Sequence, residues 1–255
     1  MEVHHHPDLH NNTKRFKEYF LEFLMIFLAV TLGFIAENVR ERLTELSKEK
    51  QYIGAFIRNV KDDADYLRHV IKFDSSQVKG LDSLLMLSHA NFADDSNRKS
   101  FYYYVFRYCF NSAVFKSNDA TLQQLKSSGD YRLIEKDHAA DSLSKYDAGV
   151  KGIYAQGDYY QIYFREILSR IDDLADMTIM LDSSYMKGWR LTGKTLPPLR
   201  VGGDKLPTFF NKVLDFRIIT SSYSQNDLKP QLEYATTLIS FLEKEYGIED
   251  NSGGD

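Results

Sequence analysis

An apolar run near the start of the chain is the strongest feature of its hydrophobic pattern. Residues 19–36 (YFLEFLMIFLAVTLGFIA) contain one charged residue, Glu22, and charged residues flank the run on both sides. As a helix this run is about 27 Å long, close to the ~30 Å hydrocarbon core of a bilayer. The pattern predicts a transmembrane anchor over residues 14–36. The alternatives are a cleaved signal peptide, disfavoured by the poor cleavage site around Ala36, and the core helix of a soluble protein.

Basic residues on the two sides of the anchor bear on its orientation. The two sets are nearly balanced: Lys14, Arg15 and Lys17 precede the run, and Arg40, Arg42, Lys48 and Lys50 follow it. A signal-anchor usually keeps its short basic end in the cytoplasm. We therefore expect residues 37–255 outside the cytoplasm, and membrane lipid as one partner of the chain.

A second pattern begins inside the anchor and continues past it. Apolar residues recur at alternating steps of three and four, the spacing that places side chains on one side of a helix in a coiled coil. The candidate seam of the membrane and oligomer contact is Ala29, Gly33, Ala36, Val39, Leu43 and Leu46, and the same spacing continues to Ile71. It predicts either self-association with a second copy, where small residues permit close approach in lipid, or packing of the helix on its own domain.

The remaining sequence is predicted to be helical almost throughout, so the expected fold class is all-α, with one N-terminal transmembrane helix continuing into a helical-bundle domain. The expected regions are a flexible His-rich start (1–13), the anchor (14–36), a charged helical stalk (37–51), the bundle (52–248) and a disordered tail (249–255). Helices of the bundle are expected at 52–73, 76–89, 100–114, 119–126, 137–182, 208–223 and 227–246. Polar loops are expected at 94–97 and 186–207, and glycines are candidate interruptions of the longest helix: Gly149, Gly152 and Gly157.

Composition excludes several classes of function. The net charge is −4, so nucleic acid is not an expected partner. The single cysteine, Cys109, excludes an internal disulfide and a Cys-based zinc site. The common motifs of hydrolases, zinc proteases, phosphate-binding loops and dinucleotide-binding folds are absent from the sequence. We therefore expect no catalytic residues, no cofactor and no enzymatic activity.

Two clusters of side chains are candidate ligand sites. His4, His5, His6 and His10 lie close together near the start, and such imidazoles can bind Zn, Ni or Cu, although a solvated tail is the alternative. A set of tyrosines can line a ligand cleft or form the core of the bundle, which is the commoner role of aromatic residues on helices. Its members are Tyr102, Tyr103, Tyr104, Tyr108, Tyr154, Tyr159, Tyr160 and Tyr163.

One polar segment carries a family resemblance. Residues 115–146 (FKSNDATLQQLKSSGDYRLIEKDHAADSLSKY) follow the pattern TxxxLKSSGxxxLI through Thr121, Leu125, Lys126, Ser127, Ser128, Gly129, Leu133 and Ile134. Together with the anchor at 14–41, this segment resembles an uncharacterised family of single-pass membrane proteins of Bacteroidota. The resemblance implies a bacterial inner-membrane protein with a helical soluble domain, and it supplies no activity.

The same segment has a physical interpretation that needs no family. Leu125 is expected to close a helix and Gly129 to adopt a left-handed C-terminal cap. The turn is either a structural connection or a candidate recognition surface, formed by Lys126, Ser127, Ser128, Gly129 and Asp130.

These features predict a membrane-anchored, non-enzymatic envelope protein with a periplasmic domain that binds or scaffolds a partner protein. The seam is compatible with a homo-oligomer, and packing of α1 on its own domain would produce the same pattern. The alternative is a ligand-sensing helical bundle that signals through the transmembrane helix.

Overall fold

The computed structural model describes residues 12–187 and 190–248. These residues are helical almost throughout, with one two-residue pair of strands, which confirms the all-α prediction. The predicted disordered tail and the predicted flexible start through residue 11 lie outside the described residues. Contacts divide the chain into two units between Gln51 and Tyr52.

Helix α1, Asn12–Leu85, is 74 residues long and contains no proline. In the first unit its apolar run is long and apolar enough to cross a membrane, and none of the most apolar window is buried by the protein. The predicted break between 73 and 76 is wrong, because the helix continues there. The hydroxyl of Ser75 donates to the carbonyl of Ile71 at 2.8 Å and so bonds within the helix instead of competing with it.

The second unit adds five α-helices among its described residues: α2 (Asp95–Tyr108), α3 (Ala120–Ser128), α4 (Asp137–Leu174), α5 (Lys205–Ser222) and α6 (Lys229–Tyr246). Short 3₁₀ turns occupy Asp130–Leu133 and Met177–Leu181, and a π-helical turn, Tyr223–Leu228, joins α5 directly to α6. The expected loop at 186–207 contains an antiparallel pair of strands, β1 (Met186–Lys187) and β2 (Arg190–Leu191). Met186 lies opposite Leu191, and Lys187 lies opposite Arg190.

Several predicted boundaries are wrong for identifiable reasons. The polar stretch at 94–97 is not a loop, because the Asp94 side chain accepts a 2.8 Å hydrogen bond from the N–H of Ser96 and caps α2. Helix α2 ends at Tyr108 rather than residue 114, and the side-chain nitrogen of Gln77 donates to the carbonyl of Tyr108 and to that of Asn111, beyond the helix. Helix α4 ends at Leu174 rather than 182 and is not interrupted at its glycines.

The core of the second unit begins at Ile53 on α1, which is fully buried. From there the apolar stripe of α1 is covered by the domain itself through Ile57, Val60, Ala64 and Leu67. Of the two interpretations of the seam, intrachain packing is therefore confirmed for this part. Ion pairs fix the outer edges of α1: Lys61 to Glu243 at 2.8 Å and Asp82 to Arg217 at 2.8 Å.

Candidate functional site

The LKSSG turn has the conformation that its sequence predicts. Gly129 ends α3 with φ +76°, in the left-handed region, and no heavy atom lies within 4 Å of the position a Cβ would take. Leu125, one turn earlier, is fully buried and ties the end of α3 to the core. The left-handed cap is therefore confirmed, and glycine is needed for the backbone rather than for space.

Polar contacts on both sides hold this turn in place. The hydroxyl of Tyr52 donates to Oδ2 of Asp130 at 2.7 Å, and Nζ of Lys126 bonds Oδ2 of Asp147 at 2.7 Å. Ser127 and Ser128 are exposed between these contacts. The turn therefore presents two hydroxyl groups on a backbone that is fixed at both ends.

The segment that leads into α3 is docked on α1 through a buried carboxylate, Asp63. One oxygen of Asp63 accepts from the N–H of Asn118 at 2.6 Å, and the other accepts from the hydroxyls of Tyr146, at 2.7 Å, and Ser117. Only 2% of Asp63 is exposed, and this burial raises its pKa above the usual range although the three hydrogen bonds oppose the shift. Asp63 was not among the residues predicted from the sequence. Its spacing of three from Val60 and four from Leu67 places it on the buried face of α1 and could have identified it.

The predicted tyrosine set does not converge on one cleft. Tyr102 and Tyr160 are fully buried, whereas Tyr103 and Tyr159 are about half exposed. The Tyr160 hydroxyl donates to Oε1 of Gln77 at 3.1 Å, and its ring stacks on Tyr223 with centroids 5.5 Å apart. These buried tyrosines are core residues, as the commoner interpretation predicts, although the Tyr102 hydroxyl has no hydrogen-bond partner among the described residues.

A second buried carboxyl group, Asp74, lies on α1 in this aromatic region. It is fully buried, and neither of its oxygens has a hydrogen-bond partner within the described residues. Burial raises the pKa of Asp74 to about 8, and where Asp74 is ionised its charge raises the pKa of the nearby Tyr160 and Tyr223 hydroxyls. A carboxyl group in such surroundings is held in its neutral form near neutral pH.

An open cleft lies between α4 and the start of α6. We call it the α4–α6 cleft; residues 145–153 of α4 and residues 226–234 line it, and its volume is about 570 Å³. Gly149 allows the close approach of its two walls, since a Cβ there would lie 2.1 Å from Oε1 of Gln231. A cleft of this size falls in the range of small-molecule sites.

One basic and one acidic residue, Lys145 and Asp227, line this cleft, and they do not form an ion pair with each other. Nζ of Lys145 lies 4.9 Å from the ring centroid of Tyr234, and the carboxylate of Asp227 is partly buried, which raises its pKa. Among the described residues, neither charge has an oppositely charged partner. Asn226 and Asp227 are presented by the π-helical turn, a distortion that is frequent at functional sites. The cleft was not predicted from the sequence, because the residues that form its two walls are about 80 positions apart in the chain.

The other predicted site residues lie apart from this cleft. The seam residues Ala29, Gly33, Ala36, Val39, Leu43 and Leu46 are all exposed. No heavy atom lies within 4 Å of a Cβ built on Gly33. His4, His5, His6 and His10 lie outside the described residues. Across residues 12–187 and 190–248, no group of three or more His, Cys, Asp or Glu side chains is placed to hold a metal ion.

Comparison of the chain with protein-family models, curated proteins and solved structures found no significant match. The resemblance of the LKSSG segment therefore stays a prediction.

Proposed function

We propose that this chain is a membrane-anchored scaffold of the bacterial envelope, a non-enzymatic protein that self-associates through α1 and binds a partner protein through its helical domain. The observation that carries the proposal is the change in the apolar stripe of α1 along its length. Ile53 and Ile57 are buried by the domain, whereas Val39, Leu43 and Leu46 are 54%, 63% and 44% exposed. The exposed part lies directly after the apolar run and keeps coiled-coil spacing.

A second copy is the partner that this stripe fits best. Exposed apolar residues at alternating steps of three and four are the pattern by which two identical helices cover each other. The stripe continues from Ala29, Gly33 and Ala36 in the apolar run, where small residues permit close helix contact in lipid. The surrounding stalk is charged, and a charged surface keeps the remaining faces of the helix in water.

Cysteine crosslinking in membranes tests the self-association. Native Cys109 is fully buried, and burial raises the pKa of its thiol, so an engineered cysteine on the stalk is the reactive one. We expect Leu43→Cys to form a disulfide-linked dimer on mild oxidation. Glu41→Cys is the matched control, since Glu41 is exposed on the opposite side of the helix. Gly33→Leu in the Leu43→Cys background should weaken the crosslink by separating the helices. Equal crosslinking at both positions, unaffected by Gly33→Leu, would remove the seam from the proposal.

The LKSSG turn supports binding of a different protein by the helical domain. Its exposed Ser127 and Ser128 stand on a backbone held by Leu125 and Gly129, and polar turns on rigid scaffolds commonly carry binding. A photo-crosslinking amino acid at Ser127 should give a discrete protein adduct in cells. The same amino acid at exposed Thr236 on α6 is the control, and adducts of equal yield at both positions would argue against the turn.

The helical domain is proposed to be periplasmic. The basic residues before the anchor, Arg15 and Lys17 among them, support a cytoplasmic amino terminus. Protease digestion of the domain in intact spheroplasts is the expected outcome. Protection until lysis would instead assign the domain and its partner to the cytoplasm.

A further inference from the structure

One end of the α4–α6 cleft is lined by the polar side chains of Asn226, Asp227 and Gln231. Asp227 supplies a carboxylate there. The amide nitrogen of Asn226 donates to Oγ of Ser222 at 3.0 Å, and that of Gln231 donates to the carbonyl of Tyr146 at 3.2 Å. These bonds use one N–H of each amide, and each side chain also has a carbonyl oxygen that can accept a hydrogen bond. A primary ammonium group has three N–H donors and matches such a set.

The same cleft has a cationic end. The ammonium group of Lys145 lies 4.9 Å from the ring centroid of Tyr234 and outside any ion pair among the described residues. The Tyr234 hydroxyl donates to the carbonyl of Ser142 at 3.1 Å. This bond holds the Tyr234 ring in place next to the Lys145 ammonium group. A carboxylate entering the cleft can therefore pair with a lysine whose position is already restricted.

The remaining residues that line the cleft are small or apolar: Ala148, Gly149, Gly152, Ile153 and Pro230. Gly152 leaves open space, since no heavy atom lies within 4 Å of a Cβ built on it, and Ile153 is buried beside it. The volume of about 570 Å³ accommodates a ligand larger than a single ion. The carboxylate of Asp227 is partly buried, which raises its pKa, and it forms no ion pair among the described residues.

We propose that the α4–α6 cleft binds a small zwitterion, a free amino acid or a short peptide, with the ligand ammonium at Asp227 and the ligand carboxylate at Lys145. This inference goes beyond the proposed scaffold function, because it assigns a ligand site away from the seam and the LKSSG turn. It gives the helical domain a means of sensing a solute.

Thermal denaturation of the full chain in detergent micelles tests the binding. The probes are the free L-amino acids and a set of dipeptides, added one at a time. A ligand that binds only the folded state raises the melting temperature with increasing concentration. We expect at least one probe to do so, and its N-acetylated and methyl-ester derivatives, which lack the ammonium and the carboxylate respectively, to have no effect. A response to dipeptides alone would identify a peptide as the source of the zwitterion.

Variants then locate the site by calorimetric titration of the responding probe. Asp227→Asn and Lys145→Gln should each weaken binding about tenfold or more, because each removes a charged hydrogen-bond partner. Gly152→Leu should abolish binding by filling the cleft at a helical position with open space. Asp141→Asn and Lys244→Gln are the matched controls on α4 and α6, since both residues are exposed and lie outside the cleft.

Two results would overturn the proposal: no probe raises the melting temperature of the folded wild-type chain, or a responding probe binds Asp227→Asn and Gly152→Leu as tightly as wild type. Crosslinking at Leu43→Cys is measured on the same variants. Unchanged crosslinking with lost ligand binding separates this site from the scaffold function, and the failure of either one leaves the other standing.

Discussion

The hydroxyl of Tyr146 on α4 donates a 2.7 Å hydrogen bond to Oδ2 of Asp63 on α1. The two residues are 83 positions apart, and Asp63 also accepts from Ser117 and from the N–H of Asn118. One buried carboxylate thus joins two long helices and the segment that leads into the LKSSG turn. Asp63 is a structural centre of the domain, and its removal leaves several donors without a partner.

Asp63→Ala is therefore expected to destabilise the domain by about 3 kcal/mol, since it removes the acceptor of the buried Tyr146 hydroxyl on α4 and of two donors in the segment before α3, Ser117 and Asn118. Chemical denaturation followed by circular dichroism in detergent measures the change. Asp62→Ala is the neighbouring control: Asp62 is exposed and accepts one hydrogen bond, from the Asn118 side chain at 3.1 Å. It should cost less than about 1 kcal/mol. Equal effects of the two substitutions would contradict the role of Asp63.

Gly129→Val should destabilise the domain by about 1 kcal/mol or more, because a β-branched residue is strained at positive φ. The surroundings of Gly129 are open, so the cost comes from the backbone conformation alone. Gly129→Asn should cost less, since asparagine tolerates the left-handed region better. The measurement is the midpoint of urea denaturation, and identical midpoints for the three proteins would show that no left-handed cap forms in solution.

Local sequence signals were sufficient to predict the helical fold class, the apolar run and the LKSSG turn. The apolar run, the stripe of α1 and the cap at Gly129 are each encoded within one or two turns of chain, so periodicity and a single glycine predict them. The ends of α2 and α4 were missed because distant groups determine them. Gln77 of α1, for example, bonds the carbonyls of Tyr108 and Asn111 and so ends α2.

The candidate sites depend even more on tertiary contacts. Asp63 and Asp74 are ordinary carboxylates in the sequence, and only packing shows that one is fully hydrogen-bonded and the other has no partner. The α4–α6 cleft forms where Gly149 meets Gln231, a pairing that no local pattern encodes. Periodicity in the sequence can identify which residues face the core, but it does not identify the residue that each of them contacts in the folded protein.

The close contact of α1 with α2 depends on Gly80. A Cβ at this position would lie 2.2 Å from the ring of Tyr108, so Gly80→Ala forces the ring to move. We expect a loss of about 2 kcal/mol from this overpacking. Gly152→Ala is the matched control: its Cβ meets open space, and the helix should gain about 0.5–1 kcal/mol. Thermal melts distinguish the two, and a stabilising effect of Gly80→Ala would contradict the contact. A double-mutant cycle with Tyr108→Ala should show coupling of the two positions.

The unpartnered carboxyl group of Asp74 should make stability depend on pH. Burial raises its pKa to about 8 in the folded protein, whereas the unfolded chain has the ordinary value of about 3.9. Between these values the folded state retains a proton that the unfolded state loses. The contribution of Asp74 is therefore fully present below about pH 4, decreases as pH rises, and is lost above about pH 8.

Asp74→Asn removes this titration while keeping the shape of the side chain. The variant should gain stability relative to wild type as pH rises from about 5 to about 8, by at most about 1.4 kcal/mol per pH unit. Chemical denaturation at several pH values measures the difference between the two proteins, in which the shared contribution of Asp63 cancels. Asp141→Asn, at an exposed position, is the control. A stability difference between Asp74→Asn and wild type that stays constant with pH would show that folding does not raise the pKa of Asp74.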